Sequence, residues 1–303
     1  MVYYLGIDGG GTKTDLMLVD QKGDLIRSLK VSGCNPVDIG LEAAKKLLKD
    51  AIYKICQDIP LSSVCLFAGI AGGNSAGMQE RLHTFLKEFH FRAFTNDTDN
   101  KNIIAAGLGN HDGITLILGT GICAFTQIAG KHNRVAGWGY LIDNGGSGYN
   151  LGRDALNAYF CALDGTGKKT ILTDEIDALY QGGEHKIMEY IYRDGKKAVA
   201  SFAPAVFGAI EKCDEVAEGI LKRNIKEAVH IIETAAKGFP QGTIPVVLAG
   251  GLTNQPLVLE YIKSVLHEPE RFHFQILNIA PVNGAVMLAR ELLEKEDVEN
   301  AEN

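Results

Sequence analysis

Two stretches of this chain, 110 residues apart, carry the same pattern: an apolar strand, a glycine-rich turn and a second apolar strand. In the first, Leu5-Gly6-Ile7-Asp8 enters Gly9-Gly10-Gly11-Thr12-Lys13, and the chain leaves through Leu16-Met17-Leu18-Val19. In the second, Ile114 to Leu118 enters Gly119-Thr120-Gly121 and leaves as Ile122 to Ile128. An internal repeat of this size implies two related domains. The copies differ where the strand meets the turn: Asp8 in the first corresponds to Leu118 in the second. A buried strand end favours the leucine, so Asp8 is expected to act rather than to pack.

The first turn narrows the chemistry. Successive glycines let backbone N–H groups close on a phosphate, and a carboxylate beside them suits the metal ion of a nucleotide. A P-loop requires Gly-Lys-Ser/Thr opening a helix, but Thr12 separates Gly11 from Lys13. The dinucleotide fingerprint requires a further glycine where Thr14 stands, and it too opens a helix. The run after Thr14 has a strand's composition instead. A tight hairpin needs one or two glycines, so three of them before Thr-Lys point to a phosphate cradle.

Composition excludes several classes. The net charge of −7 argues against a nucleic-acid or anionic-membrane surface, which needs clustered Lys and Arg. No apolar stretch approaches the ~20 residues of a membrane span. Met1-Val2-Tyr3-Tyr4 lacks the basic segment of a secretory leader. The six cysteines are scattered without a C-x-x-C pair, which reads as reduced thiols in a cytoplasmic protein. The histidines show no H-x-x-x-H spacing for zinc.

Periodicity predicts strands over 2–8, 14–20 and 24–31, a helix over 38–58, a buried strand over 64–70 and a helix over 77–89. Ala93-Phe94-Thr95 then delivers Asn96-Asp97 ahead of a helix over 99–107. After the second cradle, 147–236 reads as mostly helical. A third strand, Ile244 to Leu248, ends in Ala249-Gly250-Gly251, and a last helix spans 283–296 before a polar tail that is expected to fray from Glu296. The class is α/β with two similar halves.

Asp8, Thr12-Lys13, Gly119-Thr120-Gly121 and Ala249-Gly250-Gly251 resemble, in order and spacing, the phosphate and adenosine motifs of the actin/Hsp70/sugar-kinase superfamily. Ser32-Gly33-Cys34-Asn35, Asn96-Asp97, Gly137-Trp138-Gly139-Tyr140 and Gly145 to Tyr149 narrow the resemblance to the BadF/BadG/BcrA/BcrD ATPase family, in its N-acetylglucosamine kinase-like branch. The resemblance implies two ribonuclease H-like (actin-like ATPase) domains facing a central cleft. One holds 1–107 with 283–303, the other 108–282. It implies ATP and Mg²⁺ as cofactors, an amino sugar as the small-molecule partner (GlcNAc and/or MurNAc, at the 6-hydroxyl) and a homodimer.

It also implies roles. Asp97 is the general base, with Asp99 read instead as a helix N-cap. Asp8 holds the metal; Gly10, Gly11, Thr12, Lys13, Gly119, Thr120, Gly121, Gly250 and Gly251 hold the nucleotide. Asn35, Gly72, Trp138, Asp143, Asn144 and Gly146 join Asp97 around the sugar, although core packing is an equal reading for Trp138. The family's Gly-Asp-Glu-Gly-Ser stretch reads Asp143-Asn144-Gly145-Gly146-Ser147 here, and the missing side chain at Gly145 is expected to open room for a larger sugar substituent. Alternatives are a glucosamine kinase, an ATPase activator of a 2-hydroxyacyl-CoA dehydratase-type enzyme and a sugar-sensing repressor.

Overall fold

The computed structural model describes residues 1–73 and 77–302. In chain order the elements are β1 (Tyr3–Gly9), β2 (Lys13–Asp20), β3 (Leu25–Ser32), α1 (Pro36–Ile39), α2 (Leu41–Cys56), β4 (Val64–Ile70), α3 (Met78–Lys87), β5 (Ala93–Asp97) and α4 (Asp99–Leu108). The chain continues through β6 (Gly113–Leu118), β7 (Ile122–Ile128), β8 (Lys131–Ala136), α5 (Gly148–Leu163), α6 (Leu172–Leu179), α7 (Gly183–Asp194), α8 (Lys196–Ala200), α9 (Ala203–Glu211), α10 (Glu215–Ala236), β9 (Ile244–Ala249), α11 (Pro256–Val265), β10 (Phe272–Ile276) and α12 (Pro281–Glu302).

The chain forms two compact units, residues 1–110 with 277–303, and residues 111–276. The first sheet has the order β3-β2-β1-β4-β5 and the second β10-β9-β6-β7-β8. Read from the hairpin edge, the two are one topology: a three-stranded antiparallel meander followed by two strands parallel to the first. The sequence repeat is thus a repeat of the whole sheet, and the α/β class holds.

Burial follows each strand's place. β4 lies between parallel neighbours and is buried at all seven positions, as a strand covered on both faces must be. β8 and β10 are the two edge strands of the second sheet and are mostly exposed or half-buried. The 22-residue α10 buries Ala217, Ile220, Leu221, Ile225, Ala228, Val229 and Ile232 at helical spacing. Its start is capped by Asp214, whose Oδ1 accepts from Ala217 N at 2.8 Å.

α12 belongs with the first sheet because two glycines let it come close. A Cβ on Gly6 of β1 would lie 2.6 Å from Val286 N, and one on Gly284 would lie 1.9 Å from the Asn102 carbonyl oxygen of α4. Val286, Ala285 and Ala289 pack there with Val2, Tyr4, Val19, Cys65 and Phe67. α12 stays helical to Glu302, past the expected fraying point, and Asn303 lies outside the described residues. Among the described residues, no helix is long and apolar enough to cross a membrane.

Candidate active site

In the first unit the cradle is built by backbone approach. Gly10 N donates to Lys13 O at 2.9 Å, closing the β1–β2 turn, and Gly33 N and Cys34 N donate to Thr12 O and Gly10 O at 3.1 Å each. The loop after β3 is thereby stitched to the turn. A Cβ on Gly33 would sit 2.5 Å from Gly11 C and O, and one on Gly11 would sit 2.8 Å from Asp38 Oδ2. Thr12 and Lys13 stand exposed at the tip. The Lys13 ammonium is 2.7 Å from Asp15 Oδ2, so Asp15 holds the cation expected to meet phosphate.

Across this sheet, Asp8 pairs with Gly69 of β4, and Gly69 pairs with Asp97 of β5. The two carboxylates therefore lie in one lateral row on β1 and β5, with β4 between them, two strand spacings or about 10 Å apart. The carboxyl ends of parallel strands are where open α/β sheets bind ligands. Asp97 Oδ1 accepts from Thr98 N at 2.7 Å. Burial raises the pKa of Asp8, opposed by a hydrogen bond from Asn102.

Asp99 departs from expectation. Thr98 is the N-cap of α4 and Asp99 its first helical residue. Burial first, and the Asp8 charge second, push the Asp99 carboxyl up to about 6. A second carboxylate is thus coupled to Asp8 in a place where the sequence suggested only a cap.

Asn35 caps α1, with Oδ1 accepting from Val37 N and Nδ2 donating to Asp38 Oδ2, both at 3.0 Å. Gly72 has φ +72°, and a Cβ there would lie 2.4 Å from Asn35 Oδ1. The structure therefore brings Asn35, Gly72 and the phosphate cradle together. It adds Asp38, which sequence reasoning missed; its carboxylate three residues after Asn35 was the available signal.

In the second unit, Gly119 N donates to Gly121 O at 2.9 Å, and Gly148 N and Tyr149 N donate to Gly119 O and Thr120 O at 2.8 and 3.0 Å. The turn is thus docked on the start of α5. Gly250, after β9, has φ +98° and ψ 164°, a region open essentially to glycine alone. Its hydrogen faces Leu118 O and Gly119 N. A cavity of about 440 Å³ opens here, lined by Gly119, Thr120 and Gly251 together with Ala203, Pro204, Phe207, Leu252 and Gln255. Among the described residues, no atom outside its own chain neighbours lies within 4 Å of a Cβ built on Gly121. Bare glycine backbone beside an apolar cavity of this size suits phosphates and a nucleoside.

The expected sugar residues of the second unit are partly corrected. Trp138 is 69% exposed, so it is not core; the Arg134 guanidinium lies 3.7 Å over its ring. Asp143 uses its two oxygens to accept from Trp138 N and Gly139 N at 3.0 Å each, which fixes that loop. Asn144 is exposed. Gly146 has φ +83° and donates to Asn224 Oδ1 at 3.0 Å. Gly145 opens no room: a Cβ there would meet Glu227 Cγ at 2.9 Å and Asn224 Oδ1 at 3.4 Å. Glu227 and Asn224 of α10 fill the space, a contact between distant segments that no local pattern announces.

Two glycine cradles on one repeated sheet, the first with a carboxylate row and the second with a nucleoside-sized cavity, define an α/β nucleotide-binding protein. The chain belongs to the BadF/BadG/BcrA/BcrD ATPase family, whose model matches residues 5–289. It is 28% identical to an N-acetylmuramic acid/N-acetylglucosamine kinase of Clostridium acetobutylicum, over 96% of this chain and 99% of that protein. It is 25% identical to an N-acetyl-D-glucosamine kinase of Dictyostelium discoideum, over 94% of this chain and 97% of that one. A solved structure of a candidate N-acetylglucosamine kinase from Chromobacterium violaceum superposes with a TM-score of 0.75 at 24% identity, covering 95% of this chain and 99% of that one. That likeness shows the fold.

Proposed function

We propose that the protein is an ATP-dependent amino-sugar kinase that phosphorylates GlcNAc and/or MurNAc at the 6-hydroxyl, with Asp97 as general base. The observation that carries this reading is the row Asp8–Gly69–Asp97 at the carboxyl ends of three neighbouring strands. Phosphoryl transfer depends mainly on positioning and charge stabilisation. In this reading the second unit holds the nucleoside over Gly119, Thr120, Gly250 and Gly251. The first unit holds the acceptor, with Asn35 and Gly72 near its ring.

Asp97 takes the proton of the acceptor hydroxyl as that oxygen attacks the γ-phosphorus. The bond to the departing ADP oxygen breaks, and the carboxyl later returns its proton to solvent. Asp8 and the Gly9–Thr12 backbone hold the phosphate end.

The residues fit a hydrated magnesium ion. Among the described residues no cluster of three or more His, Cys, Asp or Glu forms a protein cage, and Mg²⁺ typically keeps several waters and uses one or two carboxylates plus substrate phosphates. Asp8 offers one such carboxylate beside the glycine cradle, its Oδ1 accepting from Asn102 Nδ2 at 2.7 Å, a donor set suited to an ion that keeps its waters. When bound, the ion neutralises phosphate charge.

A homodimer and a cytoplasmic location belong to the same reading, and light scattering on the purified protein tests the first. The test of the base is Asp97→Asn. Sugar-dependent ADP release should fall at least about 100-fold, as for loss of a general base, while binding of a non-hydrolysable ATP analogue is kept. Unaltered turnover would remove Asp97 from the role.

A further inference from the structure

Asp8 does not stand alone at the end of β1. Asn102, on the inner face of α4, is fully buried. Its Nδ2 lies 2.7 Å from Asp8 Oδ1, 3.2 Å from Ile7 O and 3.4 Å from Gly69 O. One amide thus ties the Asp8 side chain to the backbones of β1 and β4.

The surroundings are shaped around that amide. A Cβ on Gly69 would lie 2.3 Å from Asn102 Oδ1 and 2.4 Å from Nδ2. α12 makes room on the other side, since a Cβ on Gly284 would overlap the Asn102 carbonyl. The amide orientation is fixed by chemistry. Turned over, Oδ1 would face three acceptors, so the nitrogen must point at Asp8. Asn102 lies three residues after Asp99, one helical turn along the same face. That face therefore presents to Asp8 one carboxylate and one donor.

A carboxylate with both oxygens free samples several rotamers, and burying it without donors is costly. A charge-assisted bond at 2.7 Å removes both problems for one oxygen. We propose that Asn102 is the positioning residue of Asp8: it holds Oδ1, so that Oδ2 is presented to the hydrated magnesium ion of the bound nucleotide. This rests on the reading of Asp8 as the metal-side carboxylate. Partners that orient a metal-binding group typically alter metal affinity about 10- to 100-fold when removed.

The test uses the full chain and a non-hydrolysable ATP analogue, with calorimetric titration of magnesium. Asn102→Ala removes the donor; Asn102→Leu removes it while keeping the volume, and serves if the alanine variant does not fold. Either should raise the magnesium concentration for half-maximal analogue binding about tenfold or more. Analogue binding in the presence of chelator, and the KM for sugar, should stay as in the parent. In an Asp8→Asn background the same substitution should add nothing further, because a residue that acts through another loses its effect once that other is gone.

An unchanged magnesium requirement in a folded Asn102 variant, with Asp8→Asn raising it, overturns the positioning role alone. So does an equal shift in both backgrounds, which marks a merely structural residue. If Asp8→Asn itself leaves the requirement unchanged, the metal-side reading of Asp8 falls, and this inference with it.

Discussion

Asp99 offers a prediction whose sign and size come from its surroundings. Its carboxyl is buried at the start of α4 with the Asp8 charge nearby, and its pKa stands at about 6 against 3.8 when free. The folded state therefore holds this proton more tightly than the unfolded state does. The group's contribution to stability is fully present below pH 3.8 and is lost as pH rises through about 6. Above that the folded chain carries a buried anion beside another. A rise of about two pH units at ~1.4 kcal/mol each makes the cost on the order of 3 kcal/mol.

Asp99→Asn keeps size and hydrogen-bonding shape but removes the charge. It should leave stability near the parent's at about pH 3.5 and raise it by up to about 3 kcal/mol at about pH 7.5, or roughly 5–10 °C in the melting of the unit that holds it. The assay is thermal unfolding of parent and variant across that pH range. An offset of equal size at both ends, or a less stable variant at the alkaline end, would refute the electrostatic reasoning. The variant should also keep sugar-dependent turnover. Turnover lost here but kept in Asp97→Asn would transfer the base role to Asp99.

Two further substitutions test the second unit. Gly250→Ala forces a side chain into a glycine-only conformation and against Leu118 O at 2.5 Å. It should cost at least about 1–3 kcal/mol and raise the KM for ATP more than that for sugar, by thermal unfolding and steady-state kinetics; unchanged ATP affinity would remove Gly250 from the nucleotide site. Gly145→Ala should destabilise by about 1–3 kcal/mol through overpacking against Glu227, and Glu227→Ala should relieve it; additive melting shifts would contradict the close packing of the two residues.

The fold was legible where chemistry is local. The doubled cradle, the wholly apolar β4 and the α10 stripe each announce themselves by spacing, and the repeat foretold two sheets of one topology. The edge strands β8 and β10 were not read: Lys131-His132-Asn133-Arg134 is a polar run, and the apolar–polar alternation over 272–276 is only five residues long with Phe272 its one buried position. Residues whose role is set by distant packing were equally silent. Asn102 reaches Asp8 across 94 positions, Asn224 reaches Gly146 across 78, and Glu227 fills the space at Gly145. For the same reason Trp138 was open to a core reading: nothing in Gly137-Trp138-Gly139 shows that Arg134 covers an exposed ring. Asp8 stands out in the sequence as a carboxylate at the end of an apolar strand, but its contact with Asn102 does not.

The central claim, that the chain moves phosphate from ATP to an amino sugar, is tested most directly by ADP release from the purified protein with ATP and magnesium, with and without GlcNAc or MurNAc. The account predicts ADP formation that depends on at least one of the two sugars, with a 6-phosphorylated product and no turnover of a 6-deoxy analogue. ADP formation that neither sugar stimulates would contradict it.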